Sequence, residues 1–301
     1  MKILITGSNG FLGSNLVSLF QSNSDHDVVS CSRFPNKHSK KHFILQEING
    51  NTDWSESLQE IDVVIHCAGI NDNKVLFDNT ELINRYIEVD INGSKNLINQ
   101  AAKYGVKQFI FISSVKVYGE FSPKEKKFSV DSDINPETIY GFSKCVIENE
   151  IRSIASNQNI RFTIIRPPII YGPGVKGNIA FIKKLISLSL PIPVKGFASL
   201  RSIVSLDTLY KFIKICIESN INKSGIYNIH DIDISSEEMV RALALKLNKQ
   251  PFIISKLFIY ILTFLPSFKN MFNKLEKPLL INSKNTFQEF SIDVKSKNEF
   301  F

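Results

Sequence analysis

ILITGSNGFLGSNLVSLF, residues 3–20, places a short apolar run directly before three glycines and then spaces apolar residues at helical intervals. An apolar run that ends in a glycine cluster predicts a buried strand entering a tight turn, and the spacing after it predicts a helix. Gly7 would permit the turn, Gly10 would let backbone amides approach a pyrophosphate, and Gly13 would let the helix pack closely on the strand. The free N–H groups at the helix N-terminus would then hold the phosphate.

The composition is that of a folded globular protein rather than a disordered chain. The 301 residues are 43% hydrophobic and 22% charged, which argues against disorder. The net charge of +7 favours an anionic partner, and a dinucleotide or a nucleotide diphosphate satisfies this as well as nucleic acid does. Because the lysines are scattered and no aromatic residues are interleaved with them, we predict no nucleic-acid partner.

Cysteine and histidine positions argue against disulfides and metal sites. The four cysteines lie far apart and form no C-x-x-C pair, which indicates reduced thiols and a cytoplasmic location. The five histidines show no ligand spacing, so we predict no metal.

The longest apolar segment, residues 257–265, ends at Pro266. It is shorter than the roughly 20 residues that a transmembrane helix needs, so we predict no transmembrane span. A helix packed on the body of the protein is one interpretation of this segment. A weak contact with a membrane surface through residues 252–265 is the alternative.

Four further apolar runs predict strands separated by helical stretches. We place these strands at residues 27–32, 43–48, 61–66 and 108–114. Apolar strands alternating with helices are typical of an α/β fold with a doubly wound parallel sheet, because such strands are buried on both faces. The later part of the chain carries prolines and irregular spacing, which predicts a smaller lobe interleaved with the sheet.

Tyr140 and Lys144 have the spacing Y-x-x-x-K. Residues four apart lie on one face of a helix, so the ammonium would lie near the phenol. A neighbouring cation favours the phenolate form of tyrosine, which suits an acid/base group working near neutral pH. Tyr210 and Lys214 form a second match to the same spacing.

The ordered motifs resemble the extended branch of the short-chain dehydrogenase/reductase superfamily, the NAD-dependent epimerase/dehydratase family that acts on nucleotide sugars. The similarity covers about residues 1–245 and rests on five signatures, which are G-x-x-G-x-x-G at 7–13, S-S-x-x-V-Y-G at 113–119, Y-x-x-x-K at 140–144, R-P-x-x-x-Y-G-P-G at 166–174 and an arginine-led run at 201–207. It implies a dinucleotide-binding Rossmann domain over residues 1–165 and a mainly substrate-binding lobe over residues 166–301. It also implies a homodimer.

The resemblance implies a catalytic set of Ser114, Tyr140 and Lys144. Ser114 would hydrogen-bond the substrate oxygen that gains or loses a proton, and Ser113 is the alternative for this role. Lys144 would also hold the nicotinamide ribose. Tyr210 comes after the segment expected to form the substrate loop, so we predict that it is a packed helix residue.

The end of the second strand decides the cofactor. An acidic residue there would bind the ribose 2′-hydroxyl of NAD, whereas an arginine accommodates the 2′-phosphate of NADP. Ser32 and Arg33 stand there without an Asp or Glu, so we predict NADP(H). The alternative is NAD(H), with Arg33 as a surface residue that does not contact the cofactor. The implied cofactor-binding residues are Gly7, Asn9, Gly10, Phe11, Leu12, Gly13, Ser32, Arg33, Glu47, Ile48, Ala68, Gly69, Tyr140, Lys144 and Pro167.

Four positions depart from the family patterns. Asp90 stands where the family has an asparagine, which weakens any role transferred to it. Val115 and Lys116 replace the Asp-Glu pair of sugar-nucleotide dehydratases and could not eliminate water, which argues against a dehydratase. Ile169 replaces an asparagine of galactose epimerases, so the sugar pocket should differ.

The residues that fill these motifs are most similar to those of bacterial enzymes of surface-polysaccharide (O-antigen or capsule) synthesis. It implies a reductase for the C4 keto group of a UDP-4-keto-6-deoxy-N-acetylhexosamine, with substrate contacts from Ser114, Lys116, Asn178 and Arg201. An ion pair with Asp207 is the alternative for Arg201. The alternative function is a 4-epimerase of the UDP-glucose or UDP-N-acetylglucosamine type with tightly bound NAD. A non-catalytic nucleotide-binding scaffold is less favoured, because it would not need the catalytic set.

Overall fold

The structure is a computed structural model and describes residues 1–36, 38–70, 79–123, 126–219, 224–258, 273 and 275–292. Within these ranges the strands are β1 (Lys2–Thr6), β2 (Asp27–Ser32), β3 (Lys41–Ile44), β4 (Val63–His66), β5 (Gln108–Ile112), β6 (Arg161–Arg166), β7 (Ile169–Tyr171), β8 (Ile192–Lys195), β9 (Leu200–Ser205), β10 (Gly225–Asn228), β11 (Ile232–Ser235) and β12 (Ile253–Ser255). The α-helices are α1 (Phe11–Asn23), α2 (Thr80–Arg85), α3 (Gly93–Lys103), α4 (Ile139–Gln158), α5 (Asn178–Ser187), α6 (Leu206–Glu218), α7 (Ser236–Lys246) and α8 (Lys284–Phe290).

The first of two compact units contains residues 1–119, 132–167 and 206–228. The strands that its described residues contribute form one parallel sheet in the order β10-β6-β5-β4-β1-β2-β3. Strand order reverses at β1, which pairs with β2 on one side and β4 on the other. In α/β proteins, ligands bind outside the carboxyl ends of the strands at such a reversal. The predicted doubly wound parallel sheet is confirmed.

The apolar runs form strands because both faces of this sheet are covered. Ile3, Leu4 and Ile5 of β1 are fully buried, and so are Phe109 and Ile110 of β5. A strand buried on both faces needs a nearly continuous apolar sequence rather than an alternating one. The hydrophobic runs visible in the sequence therefore correspond to the centre of the sheet.

The glycine turn after β1 follows from close packing. Gly7 has φ +66°, in the left-handed region that favours glycine, and a Cβ there would lie 2.6 Å from the backbone nitrogen of Ala68. A Cβ at Gly13 would collide with the carbonyl oxygen of Gly7. These contacts explain why the turn and the start of α1 require glycine at both positions.

The helical stretch from α2 to α3 contains a π-helical segment, Tyr86–Asn92. It joins the two α-helices without a break, and it packs against α4. The wider π turn shifts which residues face the neighbouring helix, and such segments are frequent at functional sites. The sequence predicted only a helix here.

Three predicted strands differ from the observed ones at their ends. The second predicted strand, residues 27–32, has the observed bounds of β2, but β3 ends at Ile44 rather than at residue 48. Side-chain bonds among residues 47–52 form a turn there, since Thr52 Oγ1 donates to the Glu47 carbonyl and accepts from the Asn49 N–H. The strands predicted at 61–66 and 108–114 are shorter, and are observed as β4 and β5.

The second compact unit contains residues 120–131, 168–205 and 229–301. Strands β7 and β9 pair in parallel, β9 and β11 are antiparallel, and β8 and β12 form a separate parallel pair. Ser235 and Glu238 form a capping box at the start of α7, as the serine before the acidic pair predicts. The division into a nucleotide-binding domain and a substrate-binding lobe at residues 165–166 stays a prediction.

Tyr210 of α6 is buried, and its ring packs edge-on against Phe20 with centroids 4.9 Å apart. Its prediction as a packed helix residue is confirmed. In the part of the chain that the structure describes, no helix combines the length and the apolar character needed to cross a membrane.

Candidate active site

Most predicted site residues follow the carboxyl ends of parallel strands in the first unit. They come after β1, β2, β3, β4, β5 and β6, whereas Tyr140 and Lys144 lie on α4. Because carboxyl ends of parallel strands meet at one edge of a sheet, the fold brings these segments to the same edge. Asn178 and Arg201 belong to the second unit.

The N-terminus of α1 fits a diphosphate. Gly10 is its N-cap and provides no side-chain cap, and the first turn contains no acidic residue. The Gly10 N–H donates to the Gly7 carbonyl at 2.8 Å, which closes the turn. The N-cap residue therefore offers no side chain to the first N–H groups of the helix, which suits an anionic group.

The chain after β2 is held by bonds to one carbonyl. The Phe34 carbonyl oxygen accepts from Asn9 Nδ2 at 2.8 Å and from Ser32 Oγ at 2.7 Å, and His42 Nε2 lies 3.0 Å from it. Arg33 is exposed between these anchored residues. The guanidinium predicted to contact a 2′-phosphate therefore extends from a fixed backbone.

The predicted residues after β3 differ in exposure. Glu47 is exposed, and its carboxylate accepts from Asn49 Nδ2 at 3.2 Å. Ile48 packs against the hydrophobic core. A role for Glu47 beside the adenine stays a prediction, and so does cofactor contact for Ile48.

Tyr140 and Lys144 lie near the start of α4, which Thr138 caps by accepting from the Gly141 N–H at 3.2 Å. Lys144 is buried, and its Nζ lies 5.6 Å from the centre of the Tyr140 ring and 5.1 Å from that of Phe111. A side chain at Gly69 would come within 3.0 Å of the same Nζ. The predicted proximity of ammonium and phenol is confirmed, while their catalytic roles stay predictions.

Asp90, for which the sequence left no firm role, contacts the same lysine. Its carboxylate is buried, with Oδ1 accepting from the Ile70 N–H at 2.8 Å and Oδ2 lying 3.6 Å from Lys144 Nζ. Oδ2 has no hydrogen-bond partner among the described residues. Burial raises the pKa of the Asp90 carboxyl, and the charge of Lys144 opposes that rise. Lys144 thus lies between a phenol and a buried carboxyl group.

The two serines after β5 have different environments. Ser113 Oγ donates to Glu148 Oε1 at 2.5 Å, so its proton is used inside the core. Ser114 Oγ accepts from the Lys116 N–H at 3.2 Å and caps the short 3₁₀ turn Val115–Val117. An accepting hydroxyl keeps its own proton for another oxygen. This difference favours Ser114 over Ser113 for the predicted substrate contact.

Glu148 and Arg166 form a second buried ion pair, which the sequence analysis missed. Arg166 Nη2 lies 2.5 Å from Glu148 Oε2, and its Nη1 donates to Tyr118 Oη at 2.7 Å. Tyr118 Oη in turn donates to Asn228 Oδ1 at 2.9 Å. Glu148 follows Lys144 by four residues, so the helical spacing was a usable signal for a buried charge on the same face.

His66 bridges two hydroxyl groups behind the site. Its Nδ1 lies 2.7 Å from Thr6 Oγ1 and its Nε2 lies 2.8 Å from Ser94 Oγ. Burial, together with the charge of Lys144, lowers the pKa of His66 to about 3. The imidazole is therefore neutral at working pH and joins β1, β4 and α3 by hydrogen bonds.

The predicted substrate residues of the second unit are placed on regular elements. Asn178 is exposed at the first position of α5. Arg201 lies in β9, where its Nη2 donates to the Glu120 carbonyl at 3.3 Å and burial lowers its pKa. Asp207, the alternative ion-pair partner of Arg201, lies 3.1 Å from Lys211 Nζ.

The model of the NAD-dependent epimerase/dehydratase family matches residues 3–229. The chain belongs to this family. The UDP-glucose 4-epimerase of Vibrio cholerae is 39% identical over 254 residues, which span 82% of this chain and 76% of that protein. The N-acetyl-α-D-glucosaminyl-diphospho-undecaprenol 4-epimerase of Escherichia coli O157:H7 is 24% identical over 83% of this chain and 73% of that protein.

A solved structure has the same fold over nearly the whole chain. The UDP-glucuronic acid 4-epimerase from Bacillus cereus in complex with NAD aligns with a TM-score of 0.79 and 22% identity, covering 99% of this chain and 92% of that chain. At this identity the likeness concerns the fold. The predicted family and the predicted Rossmann-like sheet are both confirmed.

Proposed function

We propose that this protein is a nucleotide-sugar 4-epimerase that inverts the C4 hydroxyl of a UDP-sugar and works with a tightly bound NAD. The observation that carries the proposal is the 39% identity, over 82% of the chain, with a protein named UDP-glucose 4-epimerase. A second relative is also named a 4-epimerase. These relatives favour 4-epimerisation, the alternative that the sequence leaves open, over 4-keto reduction.

One acid/base group is sufficient for this reaction. Tyr140 would take the proton of the C4 hydroxyl when C4 is oxidised, and it would return a proton to the same oxygen when C4 is reduced from the other face. Ser114 donates a hydrogen bond to the same oxygen, and Lys144 favours the phenolate of Tyr140. Bound NAD supplies the hydride acceptor and donor. Since proton and hydride both return, no cofactor is consumed.

The residues at the carboxyl edge of the first unit's sheet suit a dinucleotide. The uncapped N-terminus of α1 at Gly10 takes the diphosphate, and Lys144 holds the nicotinamide ribose. The remaining contacts are those predicted from the family, at Gly7, Asn9, Phe11, Leu12, Gly13, Ser32, Arg33, Glu47, Ile48, Ala68, Gly69 and Pro167. Asn178 and Arg201 contact the sugar diphosphate, because an arginine fork suits phosphate oxygens.

The 4-keto reductase remains the second candidate because of one observation. Residues 30–36 contain no acidic side chain, and Arg33 is exposed after β2, which favours NADP(H). A reductase consumes a dissociable cofactor, whereas an epimerase keeps its NAD. The nucleotide found on the purified protein therefore separates the two functions.

The test begins with protein purified without added nucleotide. Denaturation should release stoichiometric NAD, and the native protein should interconvert UDP-glucose with UDP-galactose, or their N-acetylated forms, with no cofactor added. Oxidation of NADPH by a UDP-4-keto-6-deoxy-N-acetylhexosamine, without interconversion of any of these sugars, would instead establish the reductase.

Homodimerisation and a cytoplasmic location are part of the same proposal and rest on the family resemblance and on the unpaired cysteines in the sequence. Light scattering on the purified protein should give twice the chain mass of 34.1 kDa. We also propose a role in surface-polysaccharide synthesis, because the residues within the sequence motifs resemble those of bacterial enzymes of that process.

A further inference from the structure

Helices α5 and α7 end beside each other in the second unit. Lys249, just beyond α7, donates from its Nζ to the Ser187 carbonyl at the end of α5, at 3.0 Å. The Ile192 N–H donates to the Phe252 carbonyl at 2.8 Å, which joins the segments after the two helices. These bonds place the two helix ends and their following residues side by side.

Several of the residues that follow the two helix ends are apolar and exposed. Four of them form what we call the apolar rim, with exposed fractions of 57% for Leu188, 43% for Leu190, 36% for Leu247 and 54% for Phe252. Scattered exposed hydrophobic residues are ordinary, but a group on joined segments indicates an interaction surface. Leu257 and Phe258 are exposed as well, at 63% and 60%.

The described segments that carry the rim are basic. Residues 168–205 contain five basic and no acidic side chains, and residues 239–258 contain four basic and no acidic ones. Of these four, Arg241 and Lys256 pair with Glu237 and Glu276. Residues 1–119, by contrast, contain twelve acidic side chains. Lys184 lies in the last turn of α5, one helical turn before Leu188. The apolar rim is therefore bordered by positive charge.

The combination of apolar side chains and lysines indicates which partner the rim binds, a second copy of the chain or a membrane. In a symmetric dimer each subunit contributes the same patch, so a dimer through the rim would bring Lys184 and Lys249 of both copies towards each other. An anionic bilayer takes apolar side chains among its acyl chains and attracts lysines at its surface. The chain continues after Phe258 with apolar residues up to Pro266, of which residues 259–265 lie outside the described part.

We propose that the apolar rim and its lysines dock the second unit on an anionic membrane surface. Leu188, Leu190, Leu247 and Phe252 enter the interface, and Lys184 and Lys249 contact lipid phosphates. The docking needs neither cofactor nor sugar, so it holds or fails independently of the proposed activity. It also extends the predicted contact through residues 252–265 to the ends of α5 and α7.

The experiment is co-sedimentation of the full chain with vesicles of phosphatidylcholine, with and without phosphatidylglycerol. The protein should sediment with the anionic vesicles, stay in solution with the neutral ones, and be released by high salt. Leu188→Glu and Phe252→Glu should abolish binding, and Lys184→Gln should weaken it about fivefold. Ile44→Glu, at a 55% exposed apolar position in β3 of the first unit, is the matched control and should bind like the wild type.

Circular dichroism verifies that each variant is folded, and light scattering gives its oligomeric state. Absence of binding to anionic vesicles, or equal loss of binding in the Ile44 control, would overturn the proposal. So would a change from dimer to monomer in the Phe252 variant without vesicle binding by the wild type, because that result would assign the rim to a second copy of the chain.

Discussion

Helix α4 carries two buried ion pairs one turn apart, and they are built differently. The Glu148 carboxylate receives Arg166 and Ser113 at distances from 2.5 to 3.2 Å. The Lys144 ammonium is 3.6 Å from Asp90, whose Oδ2 has no hydrogen-bond partner in the described ranges. The first pair is saturated with hydrogen bonds, whereas the second leaves donor capacity on its lysine.

We interpret the first pair as structural and expect the second pair to serve the proposed reaction. A buried ion pair offsets its desolvation only when hydrogen bonds satisfy both groups, and Glu148 with Arg166 meets that condition. The pair of Asp90 and Lys144, which we call the loose pair, contributes less to stability, but it keeps the Lys144 ammonium available for other groups. Lys144 lies near the phenol of Tyr140, so the loose pair is the one expected to serve the reaction.

The largest effect is expected at the phenol beside the loose pair. Tyr140→Phe removes the proposed acid/base group and should lower the rate of the proposed epimerisation by about 100-fold or more, with unchanged unfolding. The matched control is Tyr210→Phe, in the other Y-x-x-x-K match. Because Tyr210 Oη is buried without a hydrogen-bond partner among the described residues, this control should keep full activity. Equal activities of the two variants would contradict the assignment.

Breaking the saturated pair should act on stability. Glu148→Ala leaves Arg166 buried without its carboxylate and should lower the free energy of unfolding by about 3–5 kcal/mol, measured by urea denaturation. Glu150→Ala is the control on the same helix, because the Glu150–Lys95 pair is partly exposed and worth about 1 kcal/mol or less. A Glu148 variant no less stable than the Glu150 variant would refute the structural role.

The buried carboxyl group of the loose pair should affect how the free energy of unfolding depends on pH. Burial raises the pKa of Asp90 above its ordinary 3.8, so the folded chain holds this proton more tightly than the unfolded chain. The free energy of unfolding therefore falls as pH rises from 3.8 through the folded pKa. Asp90→Asn should lose that decline, as measured by urea unfolding at a series of pH values.

Asp62 provides a control of opposite sign for this measurement. Its hydrogen bond from Lys107 holds the pKa of its carboxyl below 3.8, so Asp62 contributes stability that is lost as pH falls. Asp62→Asn should remove that loss at low pH. If the Asp90 variant and the wild type gave parallel curves, the raised pKa of Asp90 would be refuted.

The smallest effect is expected at an exposed charge outside both pairs. Arg33→Ala should leave unfolding unchanged and, if Arg33 contacts a 2′-phosphate, weaken NADP(H) binding about tenfold without changing NAD(H) binding. Fluorescence titration with each reduced cofactor measures both affinities. If the affinity for NADP(H) were the same before and after the substitution, Arg33 would be a surface residue without a role in cofactor binding.

The sequence predicted the parts of the molecule that local pattern determines. Strand β2 has the predicted bounds, and the glycine turn and the Tyr140–Lys144 spacing depend on residues close together in the chain. The end of β3 was wrong because side chains of residues 47–52 form a competing turn, which apolar periodicity does not register.

The partners in the two ion pairs could not be predicted from local sequence patterns. Asp90 reaches Lys144 through a π-helical segment, and no feature of the sequence distinguished that segment from an ordinary helix. Arg166 was visible within a motif, but its pairing with Glu148 depends on how β6 and α4 pack. Long-range pairs of this kind require the tertiary structure.

The most direct test of the proposed reaction follows the hydrogen at C4. A UDP-sugar substrate of the purified protein carries deuterium at C4 and is incubated without added cofactor, and NMR and mass spectrometry then locate the label. We expect a mixture of both C4 epimers, each with its deuterium retained at C4, because the hydride returns to the carbon it left. Loss of the label to solvent, or no second epimer from any UDP-sugar tested, would contradict it.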